Sequence, residues 1–272
     1  MAKTTTVHSV GYALAEIGRR VLLVDLDPQA CLTYSAGINA DYLQLSLHDV
    51  FQRRSNAAEV RQRIGGIAGL DILPAAIDLG ASEVELLFRN RREFYLRYVL
   101  STVQGEYDFI LIDCPPSLGV LTINGLTAAD EVLIPFQCES LSTRGVGQLL
   151  ETIDDVRMFT NDSLVVRGVI ATMYDHHTRH AKAMLATVRD LHGLRVLDPA
   201  VRKSVRFAEA PQTGRCILQH APGSKGAEAY RSIARDLDES APRGGSTGRP
   251  IGGFQDAAGQ ERDDDARYAF VS

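Results

Sequence analysis

No apolar run in the 272-residue sequence approaches the length of a membrane-spanning helix, and its first residues lack the basic-then-apolar pattern of a secretory signal. A protein confined to the cytoplasm, with no membrane partner, is therefore expected. The four cysteines (Cys31, Cys114, Cys138 and Cys216) stand far apart and form no C-x-x-C pair. That spacing excludes a disulfide framework and the usual thiolate metal sites, and leaves reduced structural thiols. Charge selects no partner class, because the net charge is only -5. Also missing is any glycine or strand ahead of Lys3, although Ala2-Lys3-Thr4-Thr5 reads as the last third of a phosphate-binding loop. Taken alone, that stretch reads equally well as a capped helix start.

What is present points to an α/β domain. Apolar residues make up 45% and charged residues 23%, an ordinary globular balance. Val7, Val10, Leu14 and Ile17 recur at helical spacing over Thr4–Gly18, with Gly18 closing the helix. The N-terminus of that helix lies at Lys3-Thr4, where free N–H groups and the helix dipole favour an anion. Arg20–Asp25 and Phe109–Asp113 are short apolar runs ending in a carboxylate, the pattern of strands buried on both faces of a parallel sheet. Further strands are expected at Leu70–Leu73, Glu131–Pro135 and Leu164–Thr172. Helices are expected at 82–104, 119–128, 143–158 and 178–192. This alternation predicts a mostly parallel sheet with helices on both faces, and ligands bind such sheets at the carboxyl ends of the strands. Asp25-Leu26-Asp27-Pro28-Gln29 stands at one such end, where its carboxylates serve either a ligand or a strand-end turn. Asp113, before Cys114-Pro115-Pro116, has the form of a Walker B magnesium ligand and also that of a turn cap.

Six blocks in a fixed order carry a family resemblance: AKTTT at 2–6, RVLLVDLDPQ at 20–29, IDCPPSLG at 112–119, PFQCE at 135–139, VRFAEAP at 205–211 and SKGAEAY at 224–230. The sequence resembles the ParA/Soj chromosome-partitioning ATPases of the deviant Walker A class over about residues 1–238. The resemblance implies a P-loop NTPase-like α/β fold, ATP and Mg²⁺ as cofactors, and slow hydrolysis by an ATP-bound homodimer acting as a switch. It further implies a ParB-like activator, non-specific double-stranded DNA as partner and association with the nucleoid. In this reading Lys3 neutralises the β- and γ-phosphates and Thr5 bonds the α-phosphate. Thr4, Asp25 and Asp113 hold Mg²⁺, and Asp27 positions the attacking water. Met173 and Arg202-Lys203-Ser204 are the candidates for the adenine, in a segment where the family usually has P-R-N. The family's first strand and its K-G-G, with the class-defining lysine, are not in the sequence. They are expected to precede Met1, since their loss would leave two neighbouring strands unpaired in mid-sheet.

Residues 176–235 carry 11 Lys and Arg against 4 Asp and Glu, so the basic charge is concentrated there. Arg179, Lys182, Arg189, Arg195, Arg206 and Lys225 are candidate contacts to a DNA backbone, or else a solvated basic face. Little aromatic interleaving accompanies them, which argues against sequence-specific single-strand reading. His177-x-x-His180 beside His176 has a spacing that could bind metal, but exposed helix-start histidines are common and the metal reading is set aside. Residues 239–272 combine a Pro/Gly/Ser stretch with the acidic Asp263-Asp264-Asp265 and are expected to form a disordered tail. Its acidic character does not fit the membrane-binding helix of MinD relatives. The alternatives to a partitioning ATPase are a ParA-like paralogue positioning another cargo or a cell-division component, and a truncated relic without ATPase activity.

Overall fold

Strand β1 (Val21–Asp25) is buried at every position because it has a parallel neighbour on each side. The structure, a computed structural model, describes residues 2–138, 142–240 and 266–271. Its sheet contains β1, β2 (Gln62–Arg63), β3 (Leu70–Leu73), β4 (Phe109–Asp113), β5 (Glu131–Gln137), β6 (Val165–Thr172), β7 (Val196–Leu197) and β8 (Arg267–Val271). The strand order is β2-β3-β1-β4-β8-β5-β6-β7, and every pairing is parallel except that of β2 with β3. All the long strands therefore present their carboxyl ends at one edge.

Alternation along the strands divides the core into two layers. On one face Val21, Leu23, Phe109, Leu111 and Leu133 meet Val7, Val10 and Leu14 of helix α1 (Ala2–Glu16), together with the later helix Lys225–Glu239. On the other, Leu22, Val24, Ile110, Ile112, Val132 and Ile134 pack against the helices between β3 and β6. Helix α1 sits close on the sheet: a Cβ on Gly11 would lie 2.5 Å from Leu23 Cδ2. The helix ends as its sequence directs, with Gly18 at φ +87° and its N–H donating to Ala15 O at 3.0 Å.

Two expectations need correction. The single helix expected over 82–104 is broken into α2 (Leu79–Leu86) and α3 (Tyr95–Ser101), because Arg91 takes a left-handed φ of 54° that no continuous helix allows. The expectation of a disordered tail from 239 to 272 fails at Arg267–Val271, which forms β8; residues 241–265 lie outside the described residues. Strand β8 stands between β4 and β5, in register from Phe109↔Arg267 to Asp113↔Val271 on one side and from Glu131↔Ala269 to Leu133↔Val271 on the other. Strand β8 thus occupies the middle of the sheet. Each backbone group that β8 pairs would otherwise be buried unsatisfied at about 1–3 kcal/mol.

The amino end of β8 is pinned at several points. The Arg267 backbone N–H donates to Asp108 O at 3.1 Å. Its guanidinium donates to Leu237 O at 3.0 Å and to Glu131 Oε1 at 2.6 Å. Both partners of this ion pair are largely buried, with side-chain exposures of 15% and 13%. After β4 come α4 (Val120–Ala128), α5 (Ser142–Phe159), α6 (Arg179–His192) and α7 (Lys225–Glu239).

Candidate nucleotide site

Parallel pairing places Asp25 and Asp113 side by side as register partners at the tips of β1 and β4. The Leu26 N–H donates to Asp113 O at 2.8 Å and ties the two tips together. Asp25 is fully buried and holds three donors: Thr33 N–H at 2.8 Å, Thr33 Oγ1 at 2.7 Å and Asp27 N–H at 3.2 Å. Burial outweighs these bonds and pushes the Asp25 carboxyl up to about 6. Asp113 is also buried, and among the described residues neither of its carboxylate oxygens has a hydrogen-bond partner. Its pKa is driven well above the carboxylate range by burial first and then by Asp25, with Thr4 and Lys3 pulling the other way.

Helix α1 begins against this pair. Lys3 Nζ donates to Pro115 O at 3.1 Å, two residues beyond Asp113. Lys3, Thr4 and Thr5 are half-buried in its first turn, and Thr6 is buried with its hydroxyl 3.0 Å from Tyr230 Oη, which anchors α1 to α7. Asp27 is half-buried just past β1 and accepts from Gln29 N–H at 2.9 Å, so the strand-end turn and the carboxylate cluster coexist. Cys114, buried beside Asp113, has its thiol pushed well up by burial and is inert at neutral pH. A hydroxyl and clustered carboxylates form an oxygen-rich donor set suited to a hard divalent cation, and the Lys3 ammonium beside them suits an anion. Anion-favouring N–H groups from the start of α1 complete the arrangement.

The structure brings Lys3, Thr4, Asp25, Asp27 and Asp113 near one another. It adds Thr33, whose N–H and hydroxyl both fix Asp25, while its Oγ1 accepts from Ala75 N–H at 3.0 Å. Its only sequence signal is its place eight residues after Asp25, at the start of the short helix Cys31–Ser35.

Met173 and Arg202-Lys203-Ser204 lie together at the carboxyl end of β6. Tyr174 bridges Arg202, and Lys203 N–H donates to Tyr174 O at 3.4 Å. Met173 is half-buried in a left-handed conformation, φ 50°. The basic candidates are all exposed but divide between the two faces of the sheet. Arg179, Lys182 and Arg189 ride on α6, whose Ala181 and Val188 join one apolar layer. Lys225 starts α7, and Arg206 adjoins Phe207, both packed on the other layer. Arg195 is already paired with Asp236 at 2.9 Å. The histidine group gathers differently from its sequence spacing: ligand atoms of Asp175, His176 and His177 lie within 4.8 Å of one another, without His180. Among the described residues no helix is long and apolar enough to cross a membrane.

Comparison with known proteins agrees with this geometry. A family profile described as an AAA domain matches residues 1–166. The sporulation initiation inhibitor protein Soj of Bacillus subtilis is 38% identical over 237 residues, covering 87% of this chain and 93% of that protein. The chromosome partitioning protein ParA of Caulobacter vibrioides is 38% identical over 239 residues, covering 87% and 89%. A crystal structure of cobyrinic acid a,c-diamide synthase from Mycobacterium smegmatis with bound ATP analog and magnesium superposes with a TM-score of 0.78 at 46% identity, covering 88% and 89%. The site, the sheet that builds it and these relatives lead to one conclusion: the chain belongs to the ParA/Soj family of chromosome-partitioning ATPases.

Proposed function

We propose that this protein binds MgATP at the Lys3–Asp113 edge and hydrolyses it slowly as a switch. The observation that carries the reading is the buried Asp113 carboxylate, unpartnered and facing a lysine–threonine helix start beside Asp25. A divalent cation held by Thr4 and Asp113, with Asp25 supporting its waters, would neutralise phosphate charge there. Lys3 binds the terminal phosphates, and the N–H groups of α1 orient them. Asp27, half-buried at the mouth, holds the attacking water in line. Met173 with Arg202-Lys203-Ser204 receives the base. The ATPase unit spans residues 1–238, and the ATP-bound form pairs with a second copy.

In this reading the basic residues of α6 and the Arg206–Lys225 region bind double-stranded DNA without sequence preference on the nucleoid, and a ParB-like activator accelerates turnover. The division of those residues between two faces fits a dimer better than one flat footprint. Two measurements test the reading: ATP turnover with and without DNA, and its loss in Asp27→Ala with MgATP binding retained. DNA affinity independent of salt would exclude backbone contacts. The 46% identical synthase favours one second reading, in which the same phosphate site drives amide synthesis. Turnover that requires cobyrinic acid and ignores DNA would select it.

A further inference from the structure

We infer that Asp175, His176 and His177, in the turn between β6 and α6, bind a divalent metal ion of the zinc, nickel and copper class. The site shares no residue with the Lys3–Asp113 edge and does not depend on the nucleotide reading. One ligand atom from each of the three residues lies within 4.8 Å of the other two. Ligands held at about 2.0–2.2 Å around one zinc ion stand on the order of 3–4 Å apart. Small rotations of three exposed side chains close that difference. The imidazoles of His176 and His177 are already neighbours, with ring centroids 3.8 Å apart and planes tilted by 42°.

The backbone that carries the three side chains is held on both sides. Asp175 accepts the His177 N–H through one carboxylate oxygen at 3.0 Å, which leaves its other oxygen for an ion. Thr178 donates to Asp175 O from its N–H at 3.2 Å and from Oγ1 at 3.0 Å. Ahead of the turn, Tyr174 N–H donates to Val201 O at 3.0 Å. Behind it, Thr178 Oγ1 accepts from Ala181 N–H at 3.3 Å and caps α6. Metal binding therefore orders little backbone, and its entropic cost is small. The donors select the ion. Two imidazoles and one carboxylate, with no thiolate, suit Zn²⁺, Ni²⁺ or Cu²⁺. One carboxylate supplies too few oxygens for Ca²⁺ or Mg²⁺, unlike the carboxylates around Asp113. Three protein ligands leave a coordination position open to water or to a further ligand. The sequence spacing pairs His177 with His180, but the fold leaves His180 out of the group, so His180 serves as an internal control.

Titration calorimetry with ZnCl₂ tests the assignment on the full chain, in millimolar Mg²⁺ to compete at the Asp25 and Asp113 carboxylates. The parent is compared with His176→Ala, His177→Ala and His180→Ala, all at exposed positions. Any Zn²⁺ bound elsewhere is common to the four proteins, so the difference between them reads this site. A direct ligand is worth at least as much as an outer-shell partner, so His176→Ala and His177→Ala should each weaken Zn²⁺ binding about tenfold or more. His180→Ala should bind as the parent does. In a second arm, electron paramagnetic resonance of the parent with equimolar Cu²⁺ should show coupling to two imidazole nitrogens, and to one fewer in His176→Ala and in His177→Ala. Parent-like Zn²⁺ binding in both of those variants, an equal loss in His180→Ala, or a Cu²⁺ spectrum without imidazole coupling would overturn the inference. So would a parent that binds no Zn²⁺.

Discussion

Replacing Asp113 with Asn should stabilise the nucleotide-free protein at neutral pH while removing its response to MgATP. The native fold buries Asp113 beside Asp25 with both carboxylate oxygens unpartnered. For Asp25, which has three hydrogen-bond donors, burial still raises the pKa from 3.8 to about 6, a penalty on the order of 3 kcal/mol. Burial and the neighbouring Asp25 carboxylate raise the Asp113 pKa in the same direction. An Asn removes the charge but leaves a buried amide whose lost hydrogen bonds cost about 1–2 kcal/mol. Relief of the buried charge outweighs this loss, so the melting temperature of the nucleotide-free variant should rise. Differential scanning fluorimetry at pH 7, with and without MgATP, reads both effects. A lower melting temperature for the nucleotide-free Asp113→Asn protein, or an undiminished MgATP shift, would refute the reasoning.

Other perturbations follow from the same geometry. His8 is buried with Nε2 unpartnered, and burial lowers its pKa to about 4, so its contribution of about 3 kcal/mol is present above pH 6.5 and lost as pH falls towards 4. The raised Asp25 pKa acts in the opposite sense: stability falls as pH rises from about 4 to 6. The two trends offset in the parent, so chemical denaturation of His8→Met should show stability rising as pH drops from 7 to 5, and a falling trend would contradict the assignment. Arg267→Ala strands the largely buried Glu131 and should cost about 3–5 kcal/mol in urea unfolding; a change below about 1 kcal/mol would mean that β8 is not pinned there. Gly11→Ala forces a methyl into Leu23 and should cost about 1–3 kcal/mol, measured the same way. An unchanged unfolding midpoint would show that α1 does not lie so close to the sheet.

The site was legible in the sequence where local chemistry and topology coincide. Four apolar residues ending in Asp, as at Ile112-Asp113, can hardly be anything but a buried parallel strand, and such a strand delivers its last side chain to the ligand edge. Lys3 and Thr4 were readable because a helix start favours an anion whatever precedes it. The break at Arg91 was not readable, since the amphipathic pattern of 82–104 continues through a residue whose left-handed backbone only the tertiary structure imposes. Strand β8 was hidden for a different reason. It is five residues long, follows an acidic run and has no periodicity of its own, so composition grouped it with the polar stretch before it. Only its pairing with β4 and β5 marks it as a strand. Thr33 was missed because nothing in its spacing marks a residue that supports another side chain rather than the ligand.

Equilibrium dialysis of labelled ATP against the full chain, with and without Mg²⁺, addresses the central claim directly. Saturable binding that needs Mg²⁺, weakens about tenfold or more in Lys3→Ala and disappears in Asp113→Asn is the predicted result. Binding indifferent to Mg²⁺ and to both substitutions, or no binding at millimolar ATP, would contradict it.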